Sequence, residues 1–157
     1  MADPKTQLYS GNAPLPVKIE LYESSGPVSP RYQYFTHVII KDDGANIHLS
    51  YDDKGNYQDG KPTHHVNFKK DLPRERYEKL WEELFKQDLE HLGQDAIGDK
   101  RNRVGVSFNH FEVSLGDHLK VRFDYLLSHL KSGEFAKQNA VVDLLKGLKD
   151  QAPGATT

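Results

Sequence analysis

The chain has 157 residues, a formal charge of -2 and no cysteine. That length lets one domain bury a core unaided, and the missing thiols exclude disulfides, thiolate catalysis and cysteine-held zinc or iron–sulfur centres. The slight acidic balance supplies no general attraction for phosphate backbones or anionic lipid, while 10% aromatic content argues for a folded chain despite a mean hydropathy of -0.73.

Residues 1–16 carry Gly11, Pro14 and Pro16 among small polar residues without period, and read as a flexible tail. Val17, Ile19 and Leu21 then alternate with Lys18, Glu20 and Tyr22, the period of a strand with one buried face. The segment SSGPVSP, residues 24–30, breaks it with a glycine and two prolines. From Tyr32 to Lys41, YQYFTHVIIK is apolar on both parities, as in an interior strand. DDGAN makes a turn into Ile47, Leu49 and Tyr51, and pairing Ile39 with Ile47 sets His37 opposite Leu49 and Phe35 opposite Tyr51. Residues 52–63 form a polar loop, and His64–Phe68 is a short strand.

Tyr77, Leu80, Trp81, Leu84, Phe85, Leu89 and Leu92 recur at helical spacing within Asp71–Gly93. Asp71 can act as the N-cap, Pro73 suits the first turn, and Gly93 offers a left-handed stop. Residues 94–103 read as an exposed loop. Val104, Val106 and Phe108 share one parity and Phe111, Val113 and Leu115 the other, which a bulge near Asn109–His110 would reconcile. A three-residue turn at 116–118 pairs Leu115 with Leu119, Val113 with Val121 and Phe111 with Phe123. From Phe123 onward the composition is helical, with a break at Ser132–Gly133, Ser132 as a cap, and a stripe of Phe135, Val142, Leu145 and Leu148.

The expected fold class is α+β: a mainly antiparallel sheet of five to six strands, with the amphipathic helix and the C-terminal helical segment packed on one face. A single domain is expected over residues 17–150, with tails at 1–16 and 151–157. No apolar run reaches the roughly 18 residues of a membrane span. The opening MADPKTQLYSGNAPLP lacks a basic or apolar targeting segment, so the expectation is a soluble cytoplasmic protein with no membrane partner, unless a signal peptide precedes it.

Eight histidines invite a metal reading, but no HExxH or helical H-x-x-x-H occurs. His64 and His65 are neighbours on opposite faces of a strand, and the pairing above puts His37 and His48 on opposite faces too, so no metal and no cofactor is expected. The loops DDG at 42–44 and DDKGNYQDG at 52–60 fail the EF-hand spacing and read as turns. Glu75 with Lys79 and Glu82 with Lys86 are surface pairs on the helix. There is no GxSxG, Walker A loop or GxGxxG, so no catalytic residue is assigned and the chain leans away from an enzyme. Lys69, Lys70, Arg74, Arg76, Lys100, Arg101 and Arg103 form short basic clusters without an RNA-binding aromatic motif, and no nucleic-acid partner is expected. The candidate binding edge is Ser24, Ser25, Gly26, Pro27, Val28, Ser29 and Pro30 with Tyr32 and Tyr34, because a Pro-rich loop presents aromatics at low entropic cost.

In layout, the chain resembles the emfourin-type bacterial proteins, small inhibitors of thermolysin-like metalloproteases. The shared features are a strand ending in Ser-Gly (ELYESSG), a hairpin with a DG turn (VIIKDDGANIHL), an amphipathic helix (YEKLWEELF), a second hairpin and a terminal helix. The likeness spans roughly residues 17–150. Where that group carries Gly-Gly in its first loop, this chain has Ser25-Gly26-Pro27. The resemblance implies that residues 24–30 would face a protease.

These readings lead to a non-enzymatic protein-interaction module, inhibitor-like, that binds another protein through SSGPVSP and the adjoining strand edge. The alternative is a small-ligand-binding protein or unrecognised enzyme with a sheet–helix pocket lined by Tyr77, Trp81 and one of His37, His48 or His65. A self-associating structural domain is the third reading, and the sequence leaves the oligomeric state open.

Overall fold

Alternating apolar residues require a cover on one side only, and the arrangement of the strands follows from that. The computed structural model describes residues 9–10, 13–14, 16–25, 33–44, 46–55, 57–97, 108–116, 119–125 and 135–151. In chain order these form β1 (Tyr9–Ser10), β2 (Ala13–Pro14), β3 (Val17–Ser24), β4 (Phe35–Asp42), β5 (Ile47–Lys54), β6 (Tyr57–Gln58), β7 (Lys61–Pro62) and β8 (His65–Asp71). Helix α1 (Arg74–Lys86) and a 3-10 turn (Leu89–His91) follow, then β9 (Gln94–Ile97), β10 (Phe108–Leu115), β11 (Leu119–Tyr125), helix α2 (Ala136–Lys146) and a closing 3-10 turn (Gly147–Gln151).

The main sheet has the order β8-β5-β4-β3-β10-β11-β9. Its first six strands are antiparallel neighbours, and β9 adds to β11 in parallel. The protein is thus α+β, with a mainly antiparallel sheet and, among the described residues, two α-helices. No helix among the described residues is long and apolar enough to cross a membrane.

One face of the sheet carries Val17, Ile19, Leu21, Val38, Ile40, Leu49, Tyr51, Phe111, Val113, Val121 and Phe123, all buried in a single core cluster with both helices. Helix α1 contributes Tyr77, Leu80, Trp81, Leu84 and Phe85, and the indole of Trp81 is fully buried. The Tyr77 hydroxyl and Trp81 Nε1 make no hydrogen bond of ordinary geometry among the described residues, so these two side chains are held by buried area, while Arg74 and Arg76 of the same helix stand 3.8 Å from Asp42 and 3.6 Å from Asp150 respectively. Helix α2 adds Val141, Val142 and Leu145, and the Tyr51 hydroxyl donates to the Lys146 carbonyl at 2.8 Å, tying β5 to the end of α2.

Several local expectations need correction. Asp71 is the last residue of β8, and Pro73 holds the N-cap position with no side-chain cap. The helix stops well before Gly93, because Asp88 takes the left-handed conformation (φ 56°) and its carboxylate pairs with Lys137. Lys86 reaches Glu83 at 3.1 Å, one turn by i,i+3, rather than Glu82. Residues 123–125 belong to β11, where cross-strand packing of Phe123 on Phe111 outweighs helical composition. Helix α2 starts only at Ala136, and the expected break and cap at Ser132–Gly133 lie outside the described residues. The expected N-terminal tail contains a paired β1–β2 hairpin, and the polar loop 52–63 contains the end of β5 and a second small hairpin, β6–β7.

The register of β10 with β11 is the expected one, with Leu115 opposite Leu119, Val113 opposite Val121 and Phe111 opposite Phe123. No bulge interrupts β10: its pairing with β3 runs unbroken from Phe108 to Leu115, and Asn109 is taken inward as a buried polar residue. The β4–β5 register differs from expectation. Ile39 faces Ser50, not Ile47, a slip of three residues that exchanges the two faces. The turn decides it: Asp43 N–H donates to the Asn46 carbonyl at 3.2 Å, Asn46 N–H to Asp43 Oδ1 at 2.8 Å, and Gly44 supplies φ 93°. Val38 and Ile40 therefore face the core, whereas His37 and Ile39 face outward.

Replacing Trp81 by Ala should cost about 3–5 kcal/mol in urea unfolding, as expected for emptying a closed core site. A loss under about 1 kcal/mol would mean that α1 does not seal this face.

Candidate functional site

Of the candidate binding residues, Ser24, Ser25 and Tyr34 lie among the described residues, while Gly26, Pro27, Val28, Ser29, Pro30 and Tyr32 lie outside them. Ser25 and Tyr34 close the base of the intervening segment. Ser25 N–H donates to the Tyr34 carbonyl at 3.2 Å, and Tyr34 N–H returns to Ser25 Oγ at 3.1 Å.

Beneath this base the covered face turns polar. The Tyr34 hydroxyl donates to Asn109 Oδ1 at 3.2 Å, and Asn109 Nδ2 donates to the Tyr125 carbonyl at 3.0 Å. The Tyr125 hydroxyl donates to Glu23 Oε2 at 2.6 Å, and Lys146 Nζ approaches Glu23 Oε1 at 2.7 Å. Alongside, Thr36 Oγ1 donates to Asp53 Oδ1 at 2.9 Å. Burial, and then the neighbouring Glu23 carboxylate, push the Tyr125 hydroxyl well above its ordinary value, so it stays a donor at neutral pH. Glu23 side-chain exposure is only 2%, so its charge depends on Lys146 and Tyr125 in place of water.

Sequence reasoning overlooked this network, although one signal was present. Glu23 follows Val17, Ile19 and Leu21 on the buried parity of β3, and Asn109 precedes Phe111, Val113 and Leu115 on that of β10. A polar residue on an apolar parity needs a partner, and strand pairing brings the partners from 75 and 102 positions away in the cases of Tyr34–Asn109 and Glu23–Tyr125.

Three chain connections meet at this end of the sheet. Ser24 pairs with both Phe35 and Phe108, and Tyr125 pairs with Ile97, so segments 26–32, 98–107 and 126–134 all depart from or return to the polar network.

The other face of the sheet carries no helix among the described residues. Its central row is His37, Tyr22 and His110 on β4, β3 and β10, each directly opposite the next. Tyr22 stacks on His110 with centroids 5.6 Å apart and meets His37 edge-on at 5.3 Å. Both imidazoles reach Glu20, His37 Nε2 to Oε2 at 2.8 Å and His110 Nε2 to Oε1 at 3.3 Å. Burial opposes ionisation of Glu20, but the two histidine hydrogen bonds and Lys18 outweigh it and hold the carboxyl below its ordinary value.

Nearer the edge, His48 lies 2.9 Å from Asp43 and 3.0 Å from Asp71, and His65 lies 3.2 Å from Asp52. His37 and His48 thus share a face, correcting the expectation that they lie on opposite ones; the three-residue slip in register is the cause. These histidines lie on the far side of the sheet from the buried Tyr77 and Trp81. The acidic turn at 42–44 uses its carboxylates internally: Asp42 Oδ1 accepts from Gly44 N–H at 3.0 Å and lies 3.8 Å from Arg74.

Comparison with protein-family models and with curated proteins returns no match for this chain.

Lys146→Met strips the main partner from a buried carboxylate and should cost about 3 kcal/mol in denaturant unfolding. Adding Glu23→Leu should recover part of that loss, and failure to do so would show that Glu23 is solvated. His48 should titrate above its ordinary value in NMR, because its hydrogen bond to Asp43 and the nearby carboxylates favour the charged ring. The stabilisation it brings is complete below its unfolded-state value and is lost as pH rises through the folded one. Asp43→Asn should lower the midpoint, and an unchanged midpoint would exclude that pair.

Proposed function

We propose that this protein is a non-enzymatic, inhibitor-like binding module that recognises another protein through the segment beginning at Ser24 and the strand ends around it. The observation that carries this reading is the hydrogen-bonded base at that end of the sheet, where Ser25, Tyr34, Asn109, Tyr125, Glu23 and Lys146 connect β3, β4, β10, β11 and α2. Such a base fixes the two ends of the segment, Ser25 and Tyr34, relative to the sheet, and fixed anchor points lower the ordering cost of a binding surface. A charged residue buried at that cost is better explained by a need for a defined geometry than by stability alone. The layout likeness to the emfourin-type inhibitors favours a thermolysin-like metalloprotease as the partner.

The test is to titrate the protein in excess into a thermolysin-like metalloprotease and follow peptide hydrolysis together with complex mass by native mass spectrometry. The expected result is inhibition with a defined complex, and about a tenfold faster dissociation for Asn109→Ala, which cuts the base without touching its surface. Full protease activity with no complex would overturn the inhibitor reading.

A further inference from the structure

The face of the sheet that carries no helix among the described residues holds a second constellation, on the side opposite the loop base. We propose that Glu20, His110 and Glu112 form a divalent transition-metal site of the zinc class, with His37 as a positioning residue for Glu20.

Glu20 on β3 lies directly opposite Glu112 on β10, and His110 stands two residues before Glu112 on the same side of that strand. One ligand atom from each of the three lies within 4.8 Å of the other two. Ligands held about 2.0–2.1 Å from a tetrahedral zinc ion stand roughly 3.3 Å apart. The His110 Nε2 to Glu20 Oε1 separation is already 3.3 Å, so an ion could replace the shared proton without moving either strand. His110 is fixed in plane by stacking on Tyr22, and the second Glu20 oxygen is held by His37 at 2.8 Å. A metal-binding carboxylate oriented by a neighbouring group is the usual outer-shell arrangement.

Electrostatics also favour a cation. Glu112 is paired with Arg122 at 3.2 Å, but Arg122 keeps a closer partner in Asp124 at 2.9 Å when Glu112 turns to an ion. Lys18 stands 4.0 Å from Glu20, too far to satisfy it fully. Side-chain exposures of 17% for Glu20, 20% for His110 and 40% for Glu112 describe a floor with an open top, leaving positions for water or an incoming donor. One imidazole with two carboxylates and no thiolate suits zinc first and manganese less, and suits calcium poorly.

The experiment is calorimetric titration of the full chain with zinc, manganese and calcium chlorides at pH 7.5. One zinc equivalent should bind, manganese more weakly, and calcium without measurable heat. His110→Ala, Glu20→Gln and Glu112→Gln should each weaken zinc binding at least tenfold, His37→Ala about tenfold through loss of orientation, and the exposed His91→Ala not at all. Imidazole NMR signals of the wild-type protein provide a check that does not depend on variants folding: His110 should shift first on zinc addition. Absence of zinc binding, or zinc binding that His110→Ala leaves unchanged while another histidine shifts first, would overturn the assignment.

Discussion

The contact on which the other features depend is the apolar stripe of α1 lying on the inner face of the sheet. Trp81, Tyr77, Leu80 and Leu84 are fully or almost fully removed from water there, against strands that contribute every second residue. Burial at roughly 25 cal/mol per Å² of apolar surface is the dominant favourable term. It also fixes which parity of each strand points inward, because a slip by one residue would expose the entire set. Helix α2 completes the cover, and its end is fastened to β5 and β3 through Tyr51 and Glu23.

A cover on one side has two consequences. At one end of the covered face the apolar layer gives way to a charged and hydrogen-bonded base, in which each buried polar group among Glu23, Asn109 and Tyr125 has a partner. On the opposite face, side chains of adjacent strands stand side by side, so titratable groups from β4, β3 and β10 come within hydrogen-bond reach of one another. The hydrogen-bonded base, with Glu23 and Asn109, and the proposed metal site, with Glu20, His110 and Glu112, thus occupy opposite faces of one sheet.

How far the sequence could be read depended on whether apolar residues fell on one parity or two. In β10 and β11 the large residues Phe111, Val113, Leu115, Leu119, Val121 and Phe123 define a single pairing. In β4, Phe35, Val38, Ile39 and Ile40 occupy both parities, so hydrophobic matching pointed to the wrong register, Ile39 opposite Ile47, where the hydrogen bonds of the 43–46 turn set Ile39 opposite Ser50. That one slip moved His37 to the outer face and with it the grouping around Glu20. Helix ends were less legible, because Asp88 in a left-handed conformation stops α1 where Gly93 offered the easier stop.

Composition and periodicity were sufficient for an α+β protein with an amphipathic helix sealing a mainly antiparallel sheet, because alternation and helical spacing are local patterns that burial then enforces. The tertiary structure alone decided that Glu23, Asn109, Tyr125 and Lys146 form one network, and that Glu20, His37, His110 and Glu112 lie together. Apart from His110 and Glu112, which share β10, the residues of each group come from different elements, and only strand order and register bring them into contact. A hydrogen bond or a metal site depends on separations of a few ångström, which local sequence patterns do not encode.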